Sequence, residues 1–220
     1  SNFLIKNIRQ NIKFTEFDLY VNVPNKKKLF IKKLKTPLLG IHNVRNSVAA
    51  AAVALTVGIS ISHIKKGLSS FRGVQRRFNK IFTYNKIDFY DDYAHHPTEI
   101  KVVLDGVNKV YKNYEKVCVF QPHRISRLKD LKKEFSFAFK DADTVILCPI
   151  FTAGEKIKLG FSYLNFAKEV IKNSNVKLFL VNNNFELAKF IKKNMHGKKI
   201  IIGMGAGSIS QWMKKLPELL

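Results

Sequence analysis

Ile87-Asp88-Phe89-Tyr90-Asp91-Asp92-Tyr93-Ala94-His95-His96-Pro97-Thr98-Glu99 is the stretch on which the reading of this chain turns. Ile87 to Tyr90 alternates as a strand does, and Ile100 to Val110 has the spacing of a helix. Pro97, followed by Thr98-Glu99, marks the first helical turn. Two carboxylates, a tyrosine and two imidazoles stand at that junction. In an open α/β sheet, ligands bind where strands hand over to helices, because loop side chains and the helix N-terminus converge there. An acidic turn with solvated histidines is the bland alternative, and the neighbouring segments decide against it.

Downstream, strand and helix patterns alternate. Helices are expected from about Thr98 to Lys112, Ser126 to Lys140, Tyr163 to Lys172, Phe185 to Lys193 and Ser208 to Leu216. Strands are expected at Val117 to Phe120, Thr144 to Cys148, Lys177 to Val181 and Lys199 to Gly203. This alternation predicts an α/β domain with a mostly parallel sheet and right-handed crossovers.

Upstream, Ile81 to Tyr84 and Ile87 to Tyr90 alternate around Asn85-Lys86, a hairpin that delivers the opening motif. Before it, Phe71 to Phe78 reads as a linker between domains, with a glycine break and basic residues. Arginine there can reach phosphate, because its planar fork holds two oxygens at once. Residues 1 to 39 alternate in short runs, which predicts a β-hairpin or meander with its turn near Asn25. Gly40-Ile41-His42-Asn43-Val44-Arg45-Asn46 then leads into an alanine-rich helix over Ser47 to Leu55, ended by Gly58, with a second short helix over Ser62 to Leu68. Asn43 and Asn46 are three apart, so both amides project from one face, and an amide suits the donor and acceptor edge of adenine. N-capping is expected to explain one of the two asparagines. Apolar surface is expected to be exposed around Val48 to Leu55.

Two further strand ends carry chemistry. In Gln121-Pro122-His123-Arg124-Ile125-Ser126-Arg127, the two arginines straddle a helix start and can converge on one small anion, such as an amino-acid carboxylate. Pro149 to Glu155 places a carboxylate after the next strand. Gly203-Met204-Gly205-Ala206-Gly207-Ser208 looks like a dinucleotide loop but closes the domain and lacks the ribose-reading acid about twenty positions on, so tight backbone packing is its expected role.

Composition narrows the function classes. The chain has 220 residues, a net charge of +23 and two cysteines. Its apolar content supports a sizeable core. The lysines are spread along the polar faces of amphipathic patterns without a dense basic arm, and no tract of arginine and aromatic residues suits base stacking, which argues against a specific nucleic-acid binder. No apolar run approaches the roughly 20 residues of a membrane span. Cys118 and Cys148 lie in apolar strand runs as buried thiols, without the spacing of a metal or redox pair. The start at Ser1, without Met, suggests a piece of something longer.

Taken together, Gly40 to Asn46, Gly73-Val74-Gln75-Arg76-Arg77-Phe78, Asp91 to Glu99, Gln121 to Arg127, Thr152-Ala153-Gly154-Glu155 and Gly205 to Ile209 resemble the Mur ligases, in that family's order. The branch that adds L-alanine to UDP-N-acetylmuramate fits best. The resemblance implies an ATP-dependent, amide-forming enzyme of peptidoglycan synthesis in the cytoplasm, working through an acyl phosphate. Residues 1 to 72 would be the C-terminal part of the central ATP-binding domain. Residues 73 to 220 would be the Rossmann-like C-terminal domain that binds the amino acid. ATP would meet His42, Asn43 and Asn46, with Arg77 and Asp92 as the catalytic pair, Arg77 on its phosphate and Asp92 either holding its ribose or orienting Arg77. Tyr93, His123, Arg124 and Arg127 would line the L-alanine pocket. The family's phosphate loop and Mg2+ ligands do not occur in this stretch and are expected upstream, so this piece alone is expected to be inactive. The nearest rival is the branch that recycles a whole tripeptide; a basic Rossmann-like nucleic-acid module is a rival from another class.

Overall fold

Three antiparallel strands open the chain in sequential order: β1 (Phe3–Gln10), β2 (Thr15–Val21) and β3 (Leu29–Thr36). The protein is described by a computed structural model that covers residues 2–24, 27–156 and 162–220. The chain divides into two compact units, Ser1–Gly73 and Val74–Leu220. In the first unit β2 buries every second residue, so Phe17, Leu19 and Val21 form one apolar face. Helix α1 (Ile41–Thr56) lays Val44, Val48 and Ala51 on that face, and α2 (Ile61–Ser70) adds Ile64. The expected meander is present, while the turn expected near Asn25 lies outside the described residues.

One expectation about α1 needs correction and another needs narrowing. The helix begins at Ile41, with Gly40 at its N-cap and no side-chain cap; Asn43 instead turns its Nδ2 back to donate to the Leu39 carbonyl at 2.7 Å, so capping accounts for neither asparagine. The apolar exposure expected around Val48 to Leu55 is present at Val53, 65% exposed, and continues to Val57 at 69%, while Val48 itself is buried.

The second unit is built on a sheet of order β4-β5-β9-β6-β7-β8. Strands β4 (Asn79–Tyr84) and β5 (Ile87–Asp92) form the expected antiparallel hairpin, with Tyr84 paired to Ile87. The turn residues Asn85 and Lys86 both take positive φ, 47° and 65°, the turn hand that matches the twist of the flanking strands. From β5 onward every neighbouring pair is parallel. Helix α3 (Pro97–Val110) crosses to β6 (Glu115–Phe120), then come β7 (Thr144–Leu147), α6 (Tyr163–Ser174), β8 (Lys177–Leu180), α7 (Asn184–Asn194), β9 (Lys199–Met204) and α8 (Ile209–Leu219). Strand β9 inserts between β5 and β6, which brings the C-terminal ends of all three side by side. Its Ile200, Ile201 and Ile202 are fully buried, as a central parallel strand covered on both faces requires.

The single helix expected over Ser126 to Lys140 is two: α4 (Ile125–Asp130) and α5 (Lys132–Ser136), broken at Leu131. No glycine or proline lies in that stretch to mark the break. Leu128 and Phe135 are both buried across it, and Phe135 and Phe139 pack on Phe120 at ring distances of 5.7 and 5.3 Å. Both cysteines are free and buried, and burial pushes the Cys148 thiol up to about 12.

Candidate functional site

The loop after β5 is held from both ends. Pro97 sits in the first turn of α3, and the His96 side chain accepts the Thr98 amide as the N-cap, completing a capping box with Glu99. Glu99 Oε2 accepts the amides of His95 at 3.0 Å and His96 at 3.2 Å. The donors that a helix start leaves unsatisfied are thereby used to fix the path of residues 93 to 96.

At the strand end, Asp92 is 2% exposed and both its oxygens accept backbone amides, Ala94 at 2.7 Å and Phe78 at 2.8 Å. Burial pushes its carboxyl up to about 6, against the pull of those two bonds and of the Arg77 cation. Phe78 also stacks on Tyr90 with ring centroids 4.3 Å apart. On the other side of Arg77, Arg76 donates from Nη2 to the Gly205 carbonyl at 2.6 Å and lies 4.6 Å from the Tyr93 ring centre. Both neighbours of Arg77 are therefore pinned, while its own guanidinium has no hydrogen bond or ion pair among the described residues. It stands exposed, 5.9 Å from the Tyr93 ring centre. No direct ion pair joins it to Asp92; the two are coupled by charge at longer range and by the Phe78 amide bond that fixes the backbone after Arg77.

Rings continue from Tyr93 across the strand ends. Tyr93 meets His95 edge-on at 5.1 Å, His95 meets His123 at 6.0 Å, and His123 stacks on Phe151 at 5.5 Å. Arg127 places Nη1 3.4 Å from His123 Nδ1. Burial, then the Arg127 cation, hold the His123 imidazole below its ordinary range. Arg124 takes φ 70° at the start of α4, its amide donates to the Phe151 carbonyl at 2.8 Å, and its Nη1 lies 3.9 Å from Glu155. Glu155 in turn accepts the Ser126 hydroxyl at 2.6 Å and amide at 3.0 Å. The structure thus gathers Arg77, Asp92, Tyr93, His123, Arg124 and Arg127 at one end of one sheet, beyond the C-terminal ends of β5 and β6. Chemically this is a basic end with a half-buried aromatic floor, suited to small anions and to an amino acid.

The glycine loop after β9 is a packing device, as expected from its sequence. A Cβ on Gly207 would come within 2.6 Å of Gln121 Oε1 and of Phe151 Cβ, and one on Gly205, at φ 149°, within 2.7 Å of the Gln121 carbonyl. Gln121 Oε1 accepts the Ile209 amide at 2.9 Å, tying the β6 and β9 loops together.

Four residues of this end escaped the candidate residues read from the sequence: Arg76, Asp91, His95 and Gln121. The adjacent acids and arginines gave the available signal, but sequence does not say which arginine turns inward or that both acids are buried. Asp91 is 2% exposed and accepts the Ser210 hydroxyl at 2.5 Å.

In the first unit, His42, Asn43 and Asn46 occupy the first turns of α1. With Nδ2 of Asn43 used on Leu39, its Oδ1 remains an acceptor, and exposed Asn46 has no hydrogen bond among the described residues. A groove of about 1150 Å³ opens at the opposite end of the second unit's sheet, where β6, β7 and β8 begin, lined by Lys112, Lys116, Lys140 and Lys177. The C-termini of α3 and α6 end there, so those lysines complement helix dipoles that disfavour an anion. Lys116 is already paired with Asp143 at 3.1 Å.

The family model described as Mur ligase, glutamate ligase domain matches residues 76–207. UDP-N-acetylmuramate–L-alanine ligase of Pelagibacter ubique is 67% identical over 220 residues, covering 100% of this chain and 47% of that protein. The enzyme of the same name from Bartonella tribocorum is 36% identical over 215 residues, covering 97% of this chain and 45% of that one. The crystal structure of UDP-N-acetylmuramate–alanine ligase from Thermotoga maritima superposes with a TM-score of 0.79 at 26% identity, over 99% of this chain and 45% of that one. The chain spans about half the length of the curated relatives it matches.

Proposed function

The chain belongs to the Mur ligase family, and we propose that it supplies the adenine-facing and amino-acid-binding residues of an enzyme that joins L-alanine to UDP-N-acetylmuramate with ATP. The observation that carries this reading is the row Tyr93, His95 and His123 with Arg127 at its end. It offers apolar ring faces to a small side chain and a cation to a carboxylate on the same short surface. Because His123 is held toward its neutral form, it adds no second positive charge against the ammonium of an incoming amino acid.

In this reading Arg124 and Arg127 hold the alanine carboxylate, since two guanidinium forks bind one carboxylate more tightly than scattered lysines do. Tyr93 and His123 form the wall. Asn43 and Asn46, beside His42, read the adenine edge of ATP. Arg77 neutralises phosphate charge, kept free for it by the anchoring of Arg76 and Phe78, and Asp92 sets the backbone that presents it. The muramate carboxylate oxygen bonds to the γ-phosphorus as ADP leaves, giving an acyl phosphate. The alanine nitrogen then bonds to the acyl carbon as the C–O bond to phosphate breaks. Activation makes the condensation favourable, and positioning with charge neutralisation supplies most of the rate.

Mur ligases use ATP and Mg2+. Among the described residues no group of three or more His, Cys, Asp or Glu side chains could hold a metal ion. The donor set of the described residues does not fit a magnesium site. No helix among the described residues is long and apolar enough to cross a membrane; we place the enzyme in the cytoplasm, with its nucleotide substrates.

The test is a comparison of acceptors. An enzyme of the relatives' full length carrying this chain is expected to release phosphate from ATP and UDP-N-acetylmuramate when L-alanine is added. Turnover with a tripeptide acceptor and none with L-alanine would assign it to the recycling branch instead.

A further inference from the structure

Arg76 and Arg77 are adjacent in sequence, yet the structure gives them opposite surroundings. Arg77 is exposed, and among the described residues its guanidinium has no hydrogen bond or ion pair; only its amide is engaged, with Asn79 Oδ1 at 2.9 Å. Arg76 is partly buried and holds three things at once. Its Nη2 donates to the Gly205 carbonyl at 2.6 Å, its guanidinium lies over the Tyr93 ring at 4.6 Å, and its Nε faces Asp91 Oδ2 at 3.8 Å. Its own carbonyl accepts the Tyr93 amide at 2.7 Å. The residue takes φ 59°, a conformation an arginine adopts only when its surroundings impose it. Asp91 is in turn fixed by Ser210 of α8. The side chain therefore links β5, the loop after β9 and the ring that begins the row leading to His123.

We propose that Arg76 is a positioning residue for the acceptor amino acid, acting through Tyr93 and the Gly205 loop and not by contact with phosphate. This rests on the preceding reading for the identity of the acceptor, though not for the geometry. Arg77 is spared because the residue after it is anchored separately, by Asp92 and by stacking on Tyr90. Loss of Arg76 should therefore disturb the amino-acid side and leave the ATP side in place.

The test uses two variants in the full-length enzyme. Arg76→Lys keeps a charge near Asp91, but one ammonium cannot hold the Gly205 carbonyl and cover the Tyr93 ring together. The double change Arg76→Met with Asp91→Asn removes the buried charge along with its partner, so that the domain still folds. In both, hydrogen-exchange protection of the Tyr93 amide is expected to fall by roughly tenfold. The KM for L-alanine should rise by roughly tenfold, as loss of a cation–ring contact and a charge-assisted bond implies, while the KM for ATP stays within about twofold. A merely structural role would raise both constants together, and that result overturns the proposal. Unchanged Tyr93 protection overturns it whatever the acceptor is, and so does lost protection with an unchanged alanine constant. Failure of the wild-type enzyme to use L-alanine would overturn the reading of the acceptor, and it would be seen before any variant is made.

Discussion

The carboxylate of Asp92 accepts the amide of Phe78 at 2.8 Å across fourteen residues of chain, and by that bond the end of β5 fixes the segment that presents Arg77. The same carboxyl is buried and raised from 3.8 to about 6. Between those values the folded protein holds a proton that the unfolded chain has released, so stability from this group is greatest in acid and falls as pH rises toward 6. The difference corresponds to about 3 kcal/mol at most. Asp92→Asn should flatten the dependence of urea-unfolding stability on pH between about 4 and 6 relative to wild type. Parallel wild-type and variant curves would show that Asp92 does not titrate in that window.

Gly207 sits where a methyl group has no room. Gly207→Ala would press on Gln121 Oε1 and the Phe151 Cβ, each 2.6 Å away, and it should cost about 1 to 3 kcal/mol of stability. Gly67→Ala is the control, since nothing lies within 4 Å of its added carbon in the helix; it should be neutral or stabilising by up to ~1 kcal/mol. Chemical denaturation of both variants checks the contrast.

How much of this was legible in sequence depends on whether the cause was local. The hairpin around Asn85-Lys86 and the start of α3 at Pro97 were readable because turn and cap chemistry are carried by the residues themselves. Even there, the cap is His96, a residue type with no strong capping preference. The break at Leu131 carries no glycine or proline; Leu128 and Phe135 are both buried across it, and Phe135 packs on Phe120 of β6, a tertiary contact that the local sequence does not announce. The place of β9 between β5 and β6 is a tertiary outcome that no periodicity encodes. Arg76 and Arg77 are equivalent as letters, and the backbone conformation decides which turns inward; Asp91 and Asp92 are both buried, and only the fold assigns Asp91 to Ser210 and Asp92 to the Phe78 and Ala94 amides. Spacing puts Asn43 and Asn46 on one face of α1, but half of the Asn43 amide is spent on the Leu39 carbonyl.

Glu155 supports the arginine end of the row. It accepts the hydroxyl and amide of Ser126, and these bonds, with the Arg124 cation, hold its carboxyl below the ordinary carboxylate range. Glu155→Gln should therefore raise the alanine KM by a few-fold, less than the loss of Arg124 itself, by loosening the residue that faces Arg124 at 3.9 Å. Because the carboxyl is depressed, its support is fully present at neutral pH and is lost only as pH falls through the carboxylate range. A steady-state alanine titration at pH 7.5 measures the effect; no change would leave Glu155 as a loop anchor alone.

The division of labour between the two groups of arginines is the centre of the account, and steady-state kinetics of three variants tests it most directly. Replacing Arg124 or Arg127 by Ala removes a charge-assisted hydrogen bond to the amino-acid carboxylate, a contribution of about 1.5 to 3 kcal/mol. The KM for L-alanine should then rise by about ten- to a hundredfold while the KM for ATP barely moves. Arg77→Ala should do the reverse, impairing the ATP-dependent step and leaving alanine recognition largely intact. An unchanged alanine constant in both Arg124→Ala and Arg127→Ala would contradict the pocket and leave those residues as solvated charges.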